Sequence, residues 1–193
     1  MTTRLPKFRF PNHTAKCLLQ IALLRIFVFS SCGDEASDSF IRGIEKNYKC
    51  DPNGAISEVT KAIALNSNNA MDYIYRGLIK KDNDDLDGAI ADFTKAIELK
   101  SDYIIAYVYR GQIKMSRGNL KGAIADFTRA IELKPDCVIA FYNRADARGR
   151  NLDREGAIED FTKVIAKQRA RAQLIQSANA RVAQVPVFDV LLN

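Results

Sequence analysis

The 193-residue chain is 47% apolar and 27% charged, the composition of a folded globular protein, and carries a formal charge of +6. That excess points first to a polyanionic partner, yet residues 1–31 hold five basic side chains and no acid, leaving 24 basic against 23 acidic groups in the remainder. The single histidine, His13, also lies in this leader, so residues 14–193 have no imidazole for general-base catalysis, for a Ser/His or Cys/His pair, or for a zinc site. Cys17, Cys32, Cys50 and Cys137 form no CxxC pair or metal-ligand spacing, and no GxxxxGK(S/T) or GxGxxG run is present. The sequence predicts a chain that is not an enzyme and takes no metal or cofactor.

Residues 1–32 read as a leader. The stretch 17–29, CLLQIALLRIFVF, has eleven apolar residues of thirteen, too few to span a bilayer and about the length of a signal-peptide core. Phe29-Ser30-Ser31-Cys32-Gly33 then resembles a lipoprotein lipobox, although Phe29 stands where Leu is usual and Arg25 interrupts the core. This resemblance implies lipidation at Cys32 and an exported, membrane-anchored protein. An organellar presequence and an unprocessed cytoplasmic N-terminus stay open as alternatives.

Beyond the leader the chain is self-similar. Residues 88–100, GAIADFTKAIELK, and 122–134, GAIADFTRAIELK, agree at twelve of thirteen positions 34 residues apart, and 54–66 and 156–168 each keep eight of the thirteen. Within each copy the apolar residues fall at helical spacing. Ala89, Phe93 and Ala96 form one stripe and Ile90 and Ile97 a second, so this helix B has two faces to bury. The upstream run Tyr73, Ile74, Tyr75, Leu78 and Ile79 supplies a helix A, and polar connections at 82–87 and 116–120 join the two. A hairpin with an uncovered second face has to stack on a neighbour.

An early aromatic in helix A (Tyr73, Tyr107, Phe141), a following glycine (Gly77, Gly111), alanines in helix B (Ala89, Ala96, Ala123, Ala130), a central Phe (Phe93, Phe127, Phe161) and a terminal Pro135 together resemble the tetratricopeptide repeat. The resemblance implies an all-α, right-handed superhelical solenoid of stacked helix-turn-helix hairpins, with units at 36–69, 70–103, 104–137 and 138–171. Ser39 and Val59 replace the first unit's aromatics, three units lack the final proline, and Leu152 comes two residues early, which predicts a remodelled fourth turn.

One recurrence departs from the family, which usually has Leu before the helix A glycine. Arg42, Arg76, Arg110 and Arg144 are each followed sixteen residues later by Glu58, Asp92, Asp126 and Asp160, a spacing that predicts an ion pair inside each repeat. The alternative is an arginine ladder that binds acidic ligands.

Carrying the family's groove positions onto this chain gives a peptide-binding lining of Phe40, Ile44, Ile74, Tyr75, Leu78, Val108, Tyr109, Gln112, Tyr142 and Asn143, with Met71, Ile105, Asp146 and Arg150 beside them. The family's Lys/Asn/Arg clamp for chaperone C-terminal carboxylates is missing at Phe40, Ile44, Ile74, Leu78, Val108, Gln112 and Asp146. Such a lining suits a peptide or partner helix with hydrophobic anchors. The same residues would alternatively serve as core between repeats.

Charge is divided along the array: residues 34–102 carry fourteen acids and nine bases, residues 103–193 nine acids and fifteen bases. After the last repeat, 169–184 keeps helical spacing without Gly or Pro and predicts a capping helix in 172–193, followed by an apolar tail from Pro186. Together these readings predict a protein-interaction module, with self-association through its acidic and basic ends, and less favourably nucleic-acid binding, as the alternatives.

Overall fold

The computed structural model describes residues 34–183; the leader with Cys32 and the 184–193 tail lie outside the described residues. The described residues form eight helices: α1 (Glu35–Tyr48), α2 (Pro52–Leu65), α3 (Ala70–Asp82), α4 (Leu86–Leu99), α5 (Ile104–Ser116), α6 (Leu120–Leu133), α7 (Val138–Arg150) and α8 (Arg154–Ala183). Helices α1/α2, α3/α4, α5/α6 and α7/α8 pair as hairpins, and each hairpin packs on the next through α2/α3, α4/α5 and α6/α7. This is the predicted solenoid of stacked helical hairpins.

Every A-to-B turn is built the same way. A residue in the left-handed region, Cys50, Asp84, Gly118 or Leu152 with φ of 60°, 61°, 79° and 64°, reverses the chain. The next residue, Asp51, Asp85, Asn119 or Asp153, then caps helix B by accepting from the N–H of Gly54, Gly88, Gly122 or Gly156 at 2.9–3.0 Å. Those glycines are dictated by the cap, since a Cβ on Gly88 would stand 2.1 Å from the Asp85 carboxylate. The fourth turn is therefore not remodelled. Asp153 and Gly156 preserve the cap, α8 begins at Arg154 in the register of Leu86 and Leu120, and the early Leu152 merely occupies the left-handed site, 84% exposed.

Where helices A and B cross, small residues let the backbones approach: Ala55, Ala89, Ala123 and Ala62, Ala96, Ala130 are fully buried. Phe93 and Phe127 fill the centre against Gly77 and Gly111, and a Cβ on Gly111 would lie 2.7 Å from the Phe127 ring. The fourth hairpin has Ala145 at the glycine position. Its Phe161 is 37% exposed and lies edge-on to Tyr142, ring centroids 5.7 Å apart.

The expected capping helix is not a separate element. Helix α8 runs unbroken for 30 residues, and residues 168–179 are exposed along its continuation instead of covering the end of the stack. The cause is local. The connections Asn66-Ser67-Asn68-Asn69, Lys100-Ser101-Asp102-Tyr103 and Lys134-Pro135-Asp136-Cys137 are replaced at the same register by Gln168-Arg169-Ala170-Arg171, good helix formers without a Ser, Asn, Asp or Pro.

Candidate functional site

The ion pairs form a ladder through the stack. Arg76 donates from Nε and Nη2 to the two carboxylate oxygens of Asp92 at 2.9 and 2.6 Å, Arg110 does the same to Asp126 at 3.0 and 2.7 Å, and Arg144 to Asp160 at 2.8 and 2.7 Å. A second cation one helical turn on, Lys80, Lys114 or Arg148, reaches the same carboxylate at 2.8–2.9 Å. The third nitrogen, Nη1, crosses to the preceding hairpin and donates to Thr60, Thr94 and Thr128, each at 3.1 Å. Sequence reasoning missed this threonine, whose recurrence at 60, 94, 128 and 162 was the available signal. Arg76, Arg110 and Arg144 also lie 5.6–5.7 Å from the ring centroids of Tyr73, Tyr107 and Phe141. These arginines tie hairpin to hairpin, and a free ladder for acidic ligands is not what the structure holds. In the first repeat Arg42 pairs with Glu58 at 3.0 Å, and hydrogen bonds from Lys61 and Arg42 hold the Glu58 carboxyl down at about 2.

One open apolar face lies on the A helices. Met71, Ile105 and Ile139 recur every 34 residues and are 43%, 42% and 53% exposed, with Tyr142 beside them at 55%. Beneath this row stand aromatic pairs: Phe40 edge-on to Tyr75 at 5.3 Å, Tyr109 stacked on Phe93 at 5.8 Å, and Tyr142 against Phe161. The Tyr75 hydroxyl accepts from Asn47 Nδ2 at 3.4 Å, and burial pushes its pKa up. Ile139 was not among the sequence-derived lining residues, although its period with Met71 and Ile105 identifies it.

The sequence-derived lining splits in two. Phe40, Ile44, Tyr75, Leu78, Tyr109 and Gln112 are half-buried and Tyr142 is open. Ile74 and Val108 are only 2% and 5% exposed, and Asn143 is buried with its Nδ2 lacking a partner. These three belong to the packing between hairpins, closed to a ligand in this arrangement. Positions 74 and 108 stand only about 60° round the helix from 71 and 105, and the packing of the neighbouring hairpin covers them.

Between α1 and α3 a cleft of about 240 Å³ is lined by Asp34, Ser37, Phe40, Asn69 and Asp72 among others. Burial raises the Asp72 carboxyl to about 6, opposed by a hydrogen bond from Asn69 and reinforced by the negative charge of Asp34. Among the described residues no group of His, Cys, Asp and Glu converges on a metal-sized site, and no helix is long and apolar enough to cross a membrane.

A family model described as tetratricopeptide repeat matches residues 73–103, and one described as TPR repeat matches 111–151. No curated protein sequence matches significantly. Among solved structures the chain is similar to the crystal structure of MamA, at 22% identity and a TM-score of 0.70 over 86% of this chain and 99% of that one. It is also similar to the Arabidopsis OM64 TPR domain, at 28% identity and a TM-score of 0.57 over 60% of this chain and 95% of that one. A third likeness, at 22% identity and a TM-score of 0.57 over 60% and 91%, is to the first TPR of Spaghetti (RPAP3) bound to the HSP90 peptide SRMEEVD. With its 34-residue period, its stacked hairpins and two repeat-model matches, the chain carries tetratricopeptide repeats.

Proposed function

We propose that this protein is a non-catalytic interaction module that binds an extended or helical segment of a partner protein across its A helices, through apolar anchors. The carrying observation is the open row Met71, Ile105, Ile139 and Tyr142 at the repeat interval, with half-buried Tyr75 and Tyr109 behind it. Apolar side chains held at fixed intervals on rigid helices, with tyrosine hydroxyls at the margin, supply the residue types that dominate interface energies. The TPR neighbour solved with an HSP90 peptide supports segment binding by this fold. The preferred partner differs here, because an acidic peptide terminus needs cations where this chain has Leu78, Gln112 and Asp146. The module acts at a membrane if Cys32 is lipidated, which intact-mass measurement on the purified chain decides directly.

Selection of a displayed random-peptide library on the immobilised full chain tests the reading. Enriched peptides should carry two or more apolar or aromatic anchors and should lose at least about 10-fold in affinity for Ile105→Glu. Peptides that bind wild type and Ile105→Glu equally, or enrichment of acidic C-termini, would overturn it.

A further inference from the structure

The stack ends in an unfilled seat. Ile158, Phe161 and Ile165 of α8 are open to solvent, whereas their counterparts in the second and third hairpins, Ile90, Phe93, Ile97 and Ile124, Phe127, Ile131, are buried or half-buried. Material for a fifth A helix is nevertheless encoded. Residues 172–183 fall one period after α7, with Ile175 at the register of Tyr107 and Phe141. Only the turn is missing, so the segment continues straight along α8 with Leu174 and Ile175 exposed. Ile175 stands about 15 Å beyond Ile165, far from the seat it would fill.

One rival occupant fits poorly. The first hairpin of another copy would bring the Glu45 carboxylate, which stands where Ile79, Ile113 and Ala147 are buried in later hairpins, onto bare isoleucines.

The repeat register identifies a better one. Each B helix meets the next A helix antiparallel, with Thr60 opposite Arg76, Thr94 opposite Arg110 and Thr128 opposite Arg144. Extending that register puts Thr162 opposite position 178 and Ile165 opposite Ile175. A single straight helix cannot satisfy it, but two copies satisfy it reciprocally. We propose that the protein is a two-fold dimer in which the C-terminal extension of each copy lies antiparallel on α8 of the other, in the seat of the missing fifth A helix. Arg169 and Arg171 of opposite copies then flank the centre of the seam, so added salt strengthens the dimer by screening them, the reverse of attraction between oppositely charged ends.

Sedimentation of the full chain at low and high salt is the test. Wild type should sediment as a dimer that salt does not dissociate. Ile175→Asp, at an exposed position of the single chain, should weaken it roughly 1,000-fold at unchanged helicity, because each substitution enters the seam twice. Restoring the turn with Gln168→Lys, Arg169→Pro, Ala170→Asp and Arg171→Ser should let the extension fold back on its own stack and yield a monomer. A monomeric wild type, a dimer that survives Ile175→Asp, or one that salt dissociates would overturn the proposal.

Discussion

Replacing Asp126 with alanine takes one carboxylate out of the middle of the ladder. Asp126 is 4% exposed and neutralises Arg110 at 2.7 Å and Lys114 at 2.8 Å, whose side chains are 15% and 23% exposed. Losing it leaves two cations facing each other in a partly dry site. Breaking a buried pair costs about 3–5 kcal/mol, and since the flexible Lys114 can swing to water while Arg110 stays tied to Thr94 beside the Tyr107 ring, about 3 kcal/mol is expected. For a chain of this size that corresponds to a loss of about 6–12 °C in Tm, followed by circular dichroism. Two further variants separate the causes. Glu58→Ala should cost clearly less, because its partners Arg42 and Lys46 are 46% and 40% exposed. The triple change Arg110→Leu, Lys114→Leu, Asp126→Leu should recover most of the loss, because it removes the stranded charges along with the pair. An unchanged Tm for Asp126→Ala, or equal losses at Asp126 and Glu58, would refute the reasoning.

Leu152→Gly should raise Tm by about 2–8 °C, because a non-glycine residue in the left-handed region costs about 1–2 kcal/mol and this exposed leucine offers no burial in return; no change in Tm would contradict it. Asn143→Tyr should also stabilise, since it removes a buried unpaired amide worth about 1–3 kcal/mol and restores the residue type of Tyr75 and Tyr109; a lower urea midpoint would contradict this. Stability should vary with pH through two carboxyls of opposite sense. Glu58, held near 2 against an ordinary 4.5, contributes stability that is present above pH 4.5 and lost as pH falls toward 2. Asp72, raised to about 6 from 3.8, binds its proton more tightly when folded, so its contribution is present below pH 3.8 and lost as pH rises through 6. Urea midpoints between pH 3 and 7 should show Asp72→Asn abolishing the decline between about 4 and 6 while leaving the acid transition in place; an unchanged profile would rule out Asp72 as its source.

The hairpin stack and the arginine–acid pairing were legible because each depends on residues repeated at a fixed interval, where one copy's chemistry confirms the next. Two features escaped. The straight run of α8 past Val164 depends on the loss of every Ser, Asn, Asp and Pro from one four-residue connection, and helical spacing alone cannot distinguish a helix that turns back from one that continues. The closed positions of Ile74 and Val108 depend on how tightly neighbouring hairpins rotate onto each other, a quantity of packing that no single helix's pattern contains.

The same periodicity separates scaffold from recognition. Positions at which the copies agree, the alanines, Phe93 and Phe127, the caps, and the Arg/Asp/Thr ladder, are spent on holding one hairpin to the next, and they are buried or bonded within the chain. Positions at which the copies differ reach the surface: Ser37, Met71, Ile105 and Ile139 in one row, exposed from the second hairpin on, and the half-buried Ile44, Leu78, Gln112 and Asp146 in another. The second row passes from aliphatic to acidic along the array. A bound segment would therefore meet apolar surface at the first hairpins and a carboxylate at the last, which fixes its direction. Arg150 stands one turn beyond Asp146, so the end of the segment at α7 should carry polar groups rather than an anchor, and reversing the sequence of a selected peptide should abolish binding even though every anchor is kept.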